Sequence, residues 1–423
     1  MDYKDLLERY KKGLVNEEEK KIIEDELKKH EAFEEYMVEN FEDELSEMKA
    51  DANEKKGSEE TDKLKKNVNR RLRNNIVKSV LIIIVLYVGI FYGVSAIVDN
   101  MYFNPTAKTQ SVEKEGQKTD YFYDIQAYVS LTIPGTTAGY FTTEQGKGFG
   151  NYDISYSLRN TFNKDEQRYF SSLSRGKLVA DVIFEGIYSN QNQFGIWDGF
   201  DINKYTTQGE EGEDESLKDL IAYRNEVTKK YLEDLNPLSY ISMSILLEED
   251  LSMEELYGRC IREYPMIDYS WVGVRTVPAG ENWGENQSQH LIGFNPSFQE
   301  GNPYAEPDLP DYPYFNLGEY KIKYSTDQDT HFRSVAEGYE THFRSRLEYI
   351  KDQEEFIKIF DTNYLKTEFY EDSLAYIDEN GVKTYGVLAY ATAEDFLKYI
   401  DELPYASIYI NEVLPTKPNI YYN

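Results

Sequence analysis

The stretch Ser79–Val98, SVLIIIVLYVGIFYGVSAIV, decides how the rest of the chain is organised. It runs for 20 residues without a charge, and about 20 apolar residues suffice for a helix to cross the hydrocarbon core of a bilayer. A buried core helix is the alternative, but such helices are rarely apolar on every face at this length. The 78 residues before it distinguish it from a cleaved N-terminal signal peptide. We therefore predict a transmembrane helix over residues 76–98, in contact with the lipid bilayer.

The charges that flank this helix predict its direction. Residues 63–78 contain seven Lys and Arg and no acid, whereas Asp99 follows the apolar run directly. Because positively charged flanks stay in the cytoplasm, the N-terminus should be cytoplasmic and residues from about 100 onward extracytoplasmic. The sequence thus predicts a single-pass protein of the cell membrane, with Tyr102 and Phe103 as candidate anchors at the outer interface.

Composition limits the function classes. The 423 residues carry a net charge of −31, of which −8 lies in residues 1–50 and −26 in residues 100–423. Such acidity argues against direct binding to nucleic acid or to an anionic membrane surface. The single cysteine, Cys260, excludes an intramolecular disulfide. The protein should therefore act on partners other than nucleic acid, without a disulfide framework.

Residues 1–50 have the pattern of a small all-α domain. Asn16 followed by Glu19 is typical of a helix N-cap with its capping partner. Residues 51–75 follow as a linker that is first polar and then basic. Apolar side chains recur at helical spacings of three and four toward the end of the domain, at Phe33, Met37, Phe41, Leu45 and Met48.

This N-terminal segment resembles the N-terminal domain of anti-sigma factors. The resemblance rests on Tyr10-Lys-Lys-Gly-Leu14-Val-Asn-Glu-Glu-Glu19, followed by Glu26-Leu27, His30 and Phe33. Zinc-binding members carry His-x-x-x-Cys-x-x-Cys where this chain has Glu26, His30 and Phe33. Since a tetrahedral zinc site needs about four ligands, we expect no metal and no cofactor here, with Phe33 contributing to packing and His30 serving as a surface or packing residue.

The resemblance implies that residues 1–50 bind an extracytoplasmic-function sigma factor and block its access to RNA polymerase. A helical unit of about 45 residues barely buries a core alone, so an apolar face laid against a partner would stabilise it. Its earlier apolar positions could instead form the domain core, or the whole unit could pack only on itself. The candidate contacts with the sigma factor are Leu7, Tyr10, Leu14, Phe41, Leu45 and Met48.

Beyond the membrane helix, the sequence predicts a stalk over residues 99–120 and then α+β structure, divided into residues 121–236 and 237–423. Alternation and turn residues predict strands at Tyr121–Ile133, Asp153–Leu158, Lys177–Tyr188, Leu238–Leu247, Asp268–Thr276 and Ser407–Val413. Helical periodicity and caps predict helices at Ser216–Leu235, Ser252–Glu263, Thr330–Asn363 and Thr392–Asp401. Residues 372–390 are predicted to form a hairpin that turns at Asn380-Gly381, and residues 278–318 an irregular insertion.

Residues 238–413 resemble the C-terminal extracytoplasmic domain of sigma-factor regulators from Gram-positive bacteria. The resemblance rests on dispersed apolar and glycine positions: Tyr240–Leu247, Leu251–Leu256, Trp271-Val-Gly-Val274, Ile292-Gly-Phe294, Tyr385-Gly-Val387 and Phe396-Leu397. It implies that this domain senses an envelope signal, carried by an envelope protein or another ligand. The sigma factor would then be released through proteolysis near the membrane or through a changed assembly state.

The sequence gives little support for an enzyme. Gly146-Lys-Gly-Phe-Gly150 is not followed by a clear helix, which a phosphate cradle requires, so we interpret it as a mobile loop. His331 and His342 lie eleven residues apart, which favours a helical packing face over a metal site. The alternative function is a membrane-anchored envelope or cell-wall-binding protein with no role in sigma-factor control. An exported hydrolase would need an acid pair that the sequence alone does not locate.

Overall fold

A computed structural model describes residues 58–108, 118–179, 213–278, 292–298, 307, 309–323, 327–360 and 367–418, together with Lys20 and Lys28. Lys20 and Lys28 are both helical and exposed. The rest of the predicted all-α domain over residues 1–50 lies outside the described residues. The chain divides into two compact units, Met1–Val88 and Gly89–Asn423, and each is described by itself.

The membrane helix begins in the first unit as α1 (Ser58–Val88). It continues in the second unit through a π-helical segment (Gly89–Val94) and α2 (Ser95–Asp99). The stretch Lys66–Asp99 is, by length and composition, the one helix among the described residues that could cross a membrane, and its best window has a mean hydropathy of 2.6. The predicted spanning helix is therefore present as a candidate span. Only 6% of that window is buried within the protein, as expected for a helix whose neighbour is lipid.

Helix α3 (Asp120–Thr132) leads into the first sheet of the second unit. The strand predicted at Tyr121–Ile133 is therefore wrong, because this segment is helical. Ten of its 13 residues are buried. Because protein surrounds the helix on most sides, it lacks the polar face that gives an amphipathic helix its 3.6-residue period. Its sequence therefore looks like an apolar strand bounded by Pro-Gly.

The first sheet, sheet A, has four antiparallel strands in sequence order. They are β1 (Thr136–Gly148), β2 (Asn151–Asn160), β3 (Glu166–Ser174) and β4 (Lys177–Leu178). The strand predicted at Asp153–Leu158 is confirmed within β2. Of the strand predicted at Lys177–Tyr188, the structure describes only the start, and β4 occupies two of those residues. Sheet A carries the turns that matter for the site below.

The second sheet, sheet B, has five antiparallel strands in the order β7-β6-β8-β5-β9. They are β5 (Tyr240–Ser252), β6 (Asp268–Val274), β7 (Gly293–Phe294), β8 (Lys383–Thr392) and β9 (Tyr405–Leu414). Three of these, β5, β6 and β9, confirm the strands predicted at the corresponding positions. Together the two sheets and the surrounding helices confirm the predicted α+β class for this part of the chain.

The helices of the second unit mostly agree with the predictions. They are α4 (Glu213–Asp234), α5 (Met253–Leu256), a π turn (Tyr257–Ile261), α6 (Gln328–Lys351), α7 (Glu354–Phe360), α8 (Thr367–Asn380) and α9 (Ala393–Tyr399). Two 3-10 turns, Leu317–Glu319 and Ile400–Glu402, complete the described elements. The long helix predicted over residues 330–363 is in fact two helices, because α6 ends at Lys351.

The hairpin predicted at Asn380-Gly381 is wrong. Helix α8 runs to Asn380, and Gly381 ends it with φ +75°, donating its N–H to the Ile377 carbonyl oxygen at 2.9 Å. Asn-Gly serves both as a hairpin turn and as a helix terminus, since each requires a left-handed residue. The apolar residues before Asn380 therefore belong to a helix that precedes β8.

Two predicted helix caps are confirmed in detail. The Ser252 side chain accepts the Glu255 N–H, and the Glu255 carboxylate accepts the Ser252 N–H, which is a complete capping box. The Thr392 hydroxyl accepts the Asp395 N–H at 3.2 Å. These short-range signals fix where α5 and α9 begin, directly after strands β5 and β8.

Helix α3 is built into the same hydrophobic core as sheet B. The Trp271 indole on β6 donates to the Ser130 carbonyl oxygen on α3 at 3.1 Å. The Tyr349 hydroxyl on α6 donates to the Asp124 carboxylate on α3 at 2.8 Å. The segment that follows the membrane helix is thus tied directly to the larger sheet.

Candidate signalling junction at the end of the membrane helix

The six residues predicted to contact a sigma factor, Leu7, Tyr10, Leu14, Phe41, Leu45 and Met48, lie outside the described residues. The described part of the chain contains a different candidate site, at the C-terminal end of the candidate membrane helix. We call the contact between α2 and the β1–β2 turn (Gly148–Asn151) the junction.

Two polar side chains at the end of the helix bind the backbone of the turn. The Phe149 N–H donates to Ser95 Oγ at 2.8 Å, and the Gly150 N–H donates to Asp99 Oδ1 at 2.6 Å. The Ser95 hydroxyl donates in turn to Asp99 Oδ2 at 3.0 Å. Because Ser95 and Asp99 are four residues apart, they lie on one face of the helix, and together they present two acceptors to the turn.

The turn has the backbone shape that this contact requires. Gly148, Phe149 and Gly150 all have positive φ, at +82°, +55° and +73°. Successive N–H groups in such a turn can point to the same side, and here they meet two acceptors: the Phe149 N–H meets Ser95 Oγ and the Gly150 N–H meets Asp99 Oδ1. A Cβ on Gly148 would lie 2.8 Å from Ser95 Oγ, so a glycine is needed for the close approach.

The carbonyl groups of the turn are also bound within the protein. The Asn151 side-chain amide donates to the carbonyl oxygens of Gly148 and Phe149 at 2.9 and 3.1 Å. The segment interpreted as a mobile loop therefore forms an ordered turn against the helix. Sequence reasoning missed the site, although a serine at the end of the apolar run and a glycine pair around Phe149 were its signals.

The residues directly after the membrane helix pack onto the same unit. The Tyr102 ring approaches the turn, with its Cδ2 atom 3.1 Å from a Cβ placed on Gly150. The Phe103 ring lies 6.2 Å from Phe356 and 5.9 Å from Phe360 of α7. The Tyr102 and Phe103 side chains, which were predicted to be interface anchors, thus contact protein.

An aromatic and polar chain of contacts continues from here into the unit. Phe360 contacts Tyr121 of α3 at a ring distance of 5.7 Å. On the same helix, burial raises the pKa of Asp124 well above its usual value, and the Tyr349 hydrogen bond opposes that effect. Since α3 also binds Trp271 of sheet B, the end of the membrane helix is connected to the largest sheet through packed side chains.

The edge of sheet A beside the junction carries basic residues in an otherwise acidic domain. The β3–β4 turn joins this edge, because the Arg175 N–H donates to the Gly150 carbonyl oxygen at 2.7 Å. Arg175 and Lys177 are exposed. Lys147 pairs with Asp153 at 2.5 Å, and its hydrogen bond is the main cause of the lowered pKa of Asp153. Burial, followed by the charge of Asp99, raises the pKa of Tyr152 to about 12.

His331 and His342, the two histidines spaced eleven residues apart, both lie on α6. His342 is buried, its Nδ1 donates to the Tyr314 carbonyl oxygen at 3.0 Å, and burial followed by the Arg346 charge lowers its pKa well below the usual value. His331 Nε2 lies 3.1 Å from the Tyr257 hydroxyl. Within the described ranges no group of three or more His, Cys, Asp or Glu could hold a metal ion.

A cavity of about 390 Å³ opens in the second unit beside β6 and α6. Its walls include Asp268, Tyr269, Tyr339 and Lys417. The Tyr269 side chain is buried, and its hydroxyl has no hydrogen-bond partner among the described residues. None of the residues that line the cavity belongs to the junction.

The fold and the junction together define a class: an α+β unit bound to the end of a candidate membrane-spanning helix, as in a membrane-anchored signalling or binding protein. Comparison with protein families sharpens this class, because residues 232–407 match the family model described as the C-terminal domain of sigma factor regulators. The match confirms the resemblance to sigma factor regulators seen in residues 238–413. Comparisons with curated proteins and with solved structures gave no match.

The matched region contains strands β5 to β8, the start of β9 and helices α5 to α9, but not the junction. Sheet A, α3 and the membrane helix precede residue 232. The family match therefore covers most of the larger sheet, and the junction lies outside the matched residues.

Proposed function

We propose that this chain is a membrane-anchored anti-sigma factor. Residues 1–50 hold an extracytoplasmic-function sigma factor in the cytoplasm, and the C-terminal unit lies outside the cell, where it receives an envelope signal. The observation that carries the proposal is the match of residues 232–407 to the sigma factor regulator domain, on the same chain as a candidate membrane span.

The charge distribution supports the direction and the partner. Seven Lys and Arg precede the apolar run on its N-terminal side, which favours a cytoplasmic N-terminus. The net charge of −8 in residues 1–50 complements the basic surfaces by which sigma factors contact DNA and polymerase. Binding of a sigma factor would hide those surfaces.

The described contacts support a route for the signal. Ser95 and Asp99 bind the β1–β2 turn, so the membrane helix ends inside a folded unit. A ligand in the cavity beside Tyr269, or an envelope protein bound to the C-terminal unit, would change the position or the assembly state of that unit. The change would then be transmitted to the end of the membrane helix. Release of the sigma factor then follows from cleavage near the membrane or from a new assembly state.

The proposal is tested by affinity purification of the full-length chain from native membranes in a mild detergent. A sigma factor should co-purify with it. The double variant Phe41→Asp/Leu45→Asp should lose the sigma factor, because charge is placed on the predicted contact stripe. The matched control Ala52→Asp/Asn53→Asp adds the same charge in the predicted linker and should retain it.

Two results would count against the proposal. If no sigma factor co-purifies with the wild-type chain, the anti-sigma role is wrong. If one co-purifies equally with both double variants, the binding role stands but the stripe of Phe41 and Leu45 is not the contact surface. Deletion of the gene should also raise transcription from the promoters of the bound sigma factor.

A further inference from the structure

We propose that the β1–β2 turn is inserted into the membrane beside the helix, and that the adjoining basic edge of sheet A binds anionic lipid headgroups. The feature that points to lipid is the depth at which the turn contacts the membrane helix. The turn meets the helix before the apolar run has ended, so the bilayer that surrounds the helix at this level also surrounds the turn.

The depth follows from the contacts of Phe91. A Cβ on Gly148 would lie 3.9 Å from Phe91 Cζ, and the rings of Phe91 and Phe149 are 5.9 Å apart. Asp99 is the first charge after the apolar run and marks the headgroup boundary. Phe91 precedes it by eight residues, about two helical turns through the π-helical segment and α2. The tip of the turn therefore reaches below the boundary.

The hydrogen bonds of the turn suit a non-aqueous environment. A backbone group in the hydrocarbon region must find its partner within the protein. The N–H groups of Phe149 and Gly150 bind Ser95 and Asp99, while the carbonyl groups of Gly148 and Phe149 bind the Asn151 amide. With these partners the turn can leave water, and the Phe149 ring gains from contact with acyl chains.

The charge of the edge fits the headgroups above that level. Arg175 is held beside Gly150 by a backbone hydrogen bond at 2.7 Å. Arg175 and Lys177 are exposed and form no ion pair within the described ranges. Basic residues close to an anionic leaflet are attracted to it over about a Debye length. In a region with a net charge of −26, this edge is the part that an anionic surface would favour.

The test uses the full-length chain reconstituted in phosphatidylcholine vesicles in which a share of the lipid carries bromine on its acyl chains. Phe149→Trp places a fluorophore at the tip. Phe170→Trp is the matched control, because Phe170 is an aromatic residue of the same sheet with 71% of its surface exposed. It lies four residues from Ser174, about 13 Å from the edge.

Bromolipid should quench the added fluorescence of Phe149→Trp and leave that of Phe170→Trp at the wild-type background. Equal quenching of both variants, or of neither, would overturn the insertion. A labelled pair in a Cys260→Ser background, Lys147→Cys against Arg168→Cys with an environment-sensitive dye, repeats the comparison without changing Phe149. A blue shift restricted to the first of the pair supports the proposal, and its absence overturns it.

The headgroup contact is tested by adding phosphatidylglycerol to the vesicles. The anionic lipid should increase quenching of Phe149→Trp, and Arg175→Gln/Lys177→Gln in the same chain should abolish that increase while leaving quenching in phosphatidylcholine alone. If phosphatidylglycerol has no effect, or if the effect persists in the double variant, the basic edge does not bind headgroups. Sigma-factor binding is not needed for any of these measurements.

Discussion

Asp99→Ala should detach the β1–β2 turn from the membrane helix. The wild-type carboxylate accepts the Gly150 N–H at 2.6 Å and the Ser95 hydroxyl at 3.0 Å. Alanine removes both acceptor oxygens. Ser95 then remains the one side chain of α2 that holds the Phe149 N–H, and its hydroxyl loses the partner that oriented it.

The size of the effect follows from the type of bond. A hydrogen bond to a charged group stabilises the closed state by about 1.5–3 kcal/mol, and this stabilisation is lost when the charged group is removed. Each 1.4 kcal/mol changes an equilibrium about tenfold, so opening of the turn should become about 10- to 150-fold more frequent. Asp99→Asn keeps an acceptor oxygen but removes the charge, and a neutral bond contributes only about 0.5–1.5 kcal/mol. Its effect should therefore lie between those of wild type and alanine.

Amide hydrogen exchange of the full-length protein in detergent micelles measures this opening. The amide of Phe149 is the informative one, because its own acceptor, Ser95 Oγ, is untouched by the substitution. The Gly150 amide would exchange faster merely from losing its acceptor. Exchange at Phe149 should accelerate in the order wild type, Asp99→Asn, Asp99→Ala.

Asp165→Ala is the matched control. It removes one carboxylate from an exposed position at the opposite end of sheet A, where β2 turns into β3. It should leave the Phe149 amide unchanged. If Asp99→Ala accelerates exchange at Gly150 alone, the turn stays in place without the carboxylate, and the reasoning that Asp99 holds it is refuted.

Two further predictions concern the stability of the second unit, measured by urea unfolding of the full chain in detergent. Burial raises the pKa of Asp124, so above about pH 4 the native state keeps a proton that the unfolded state has released, and the wild-type protein loses up to about 1.4 kcal/mol of stability per pH unit. Asp124→Asn should therefore become more stable than wild type as pH rises, whereas the exposed control Asp311→Asn should not. A stability difference between Asp124→Asn and wild type that does not change with pH would refute this. Gly293→Ala would place Cβ 2.2 Å from the Val272 carbonyl oxygen and should lower the free energy of unfolding by about 1–3 kcal/mol. Gly146→Ala is the control, because the nearest atom to its added Cβ is 3.7 Å away, and it should lower that free energy much less. Equal unfolding midpoints for the two variants would contradict the packing argument.

Local signals in the sequence predicted the elements whose cause is local. A 20-residue uncharged run needs no tertiary information to be recognised as a candidate span. The caps at Ser252 and Thr392 depend on residues three positions away, so they too can be read from the chain. The strands β5 and β6 carry enough β-branched and aromatic residues between turns to be placed correctly.

The predictions of secondary structure were wrong where tertiary contacts, and not the local sequence, determine the structure. Helix α3 is enclosed by protein, so the polar face that would reveal its period is missing. Asn380-Gly381 fits a hairpin and a helix end equally well, and the packing of α8 selects the second. A local pattern that is compatible with two structures cannot choose between them, because the choice is made by residues distant in the chain.

The junction shows the same limit in a functional site. Ser95 and Phe149 are 54 positions apart, and Asp99 and Gly150 are 51 apart, so no spacing rule joins them. In the sequence, Asp99 is a charge that ends an apolar run, which predicts only where the membrane stops. In the structure, the same carboxylate accepts the Gly150 N–H of a turn, which makes it an attachment point.

This attachment bears on how one helix can carry a signal. If a helix were joined to an extracytoplasmic unit by a flexible linker, a displacement of that unit would hardly move the helix, because the linker would change its own conformation instead. Here the last residues of the helix bind a turn of sheet A, Phe103 packs on α7, and α3 binds sheet B. Motion of the C-terminal unit toward or away from the bilayer must therefore either move the end of the helix or break the bonds of Ser95 and Asp99. Asp99→Ala separates these two cases: a signal that travels through the junction is lost in the variant, whereas a signal that only recruits a protein to the membrane surface is kept.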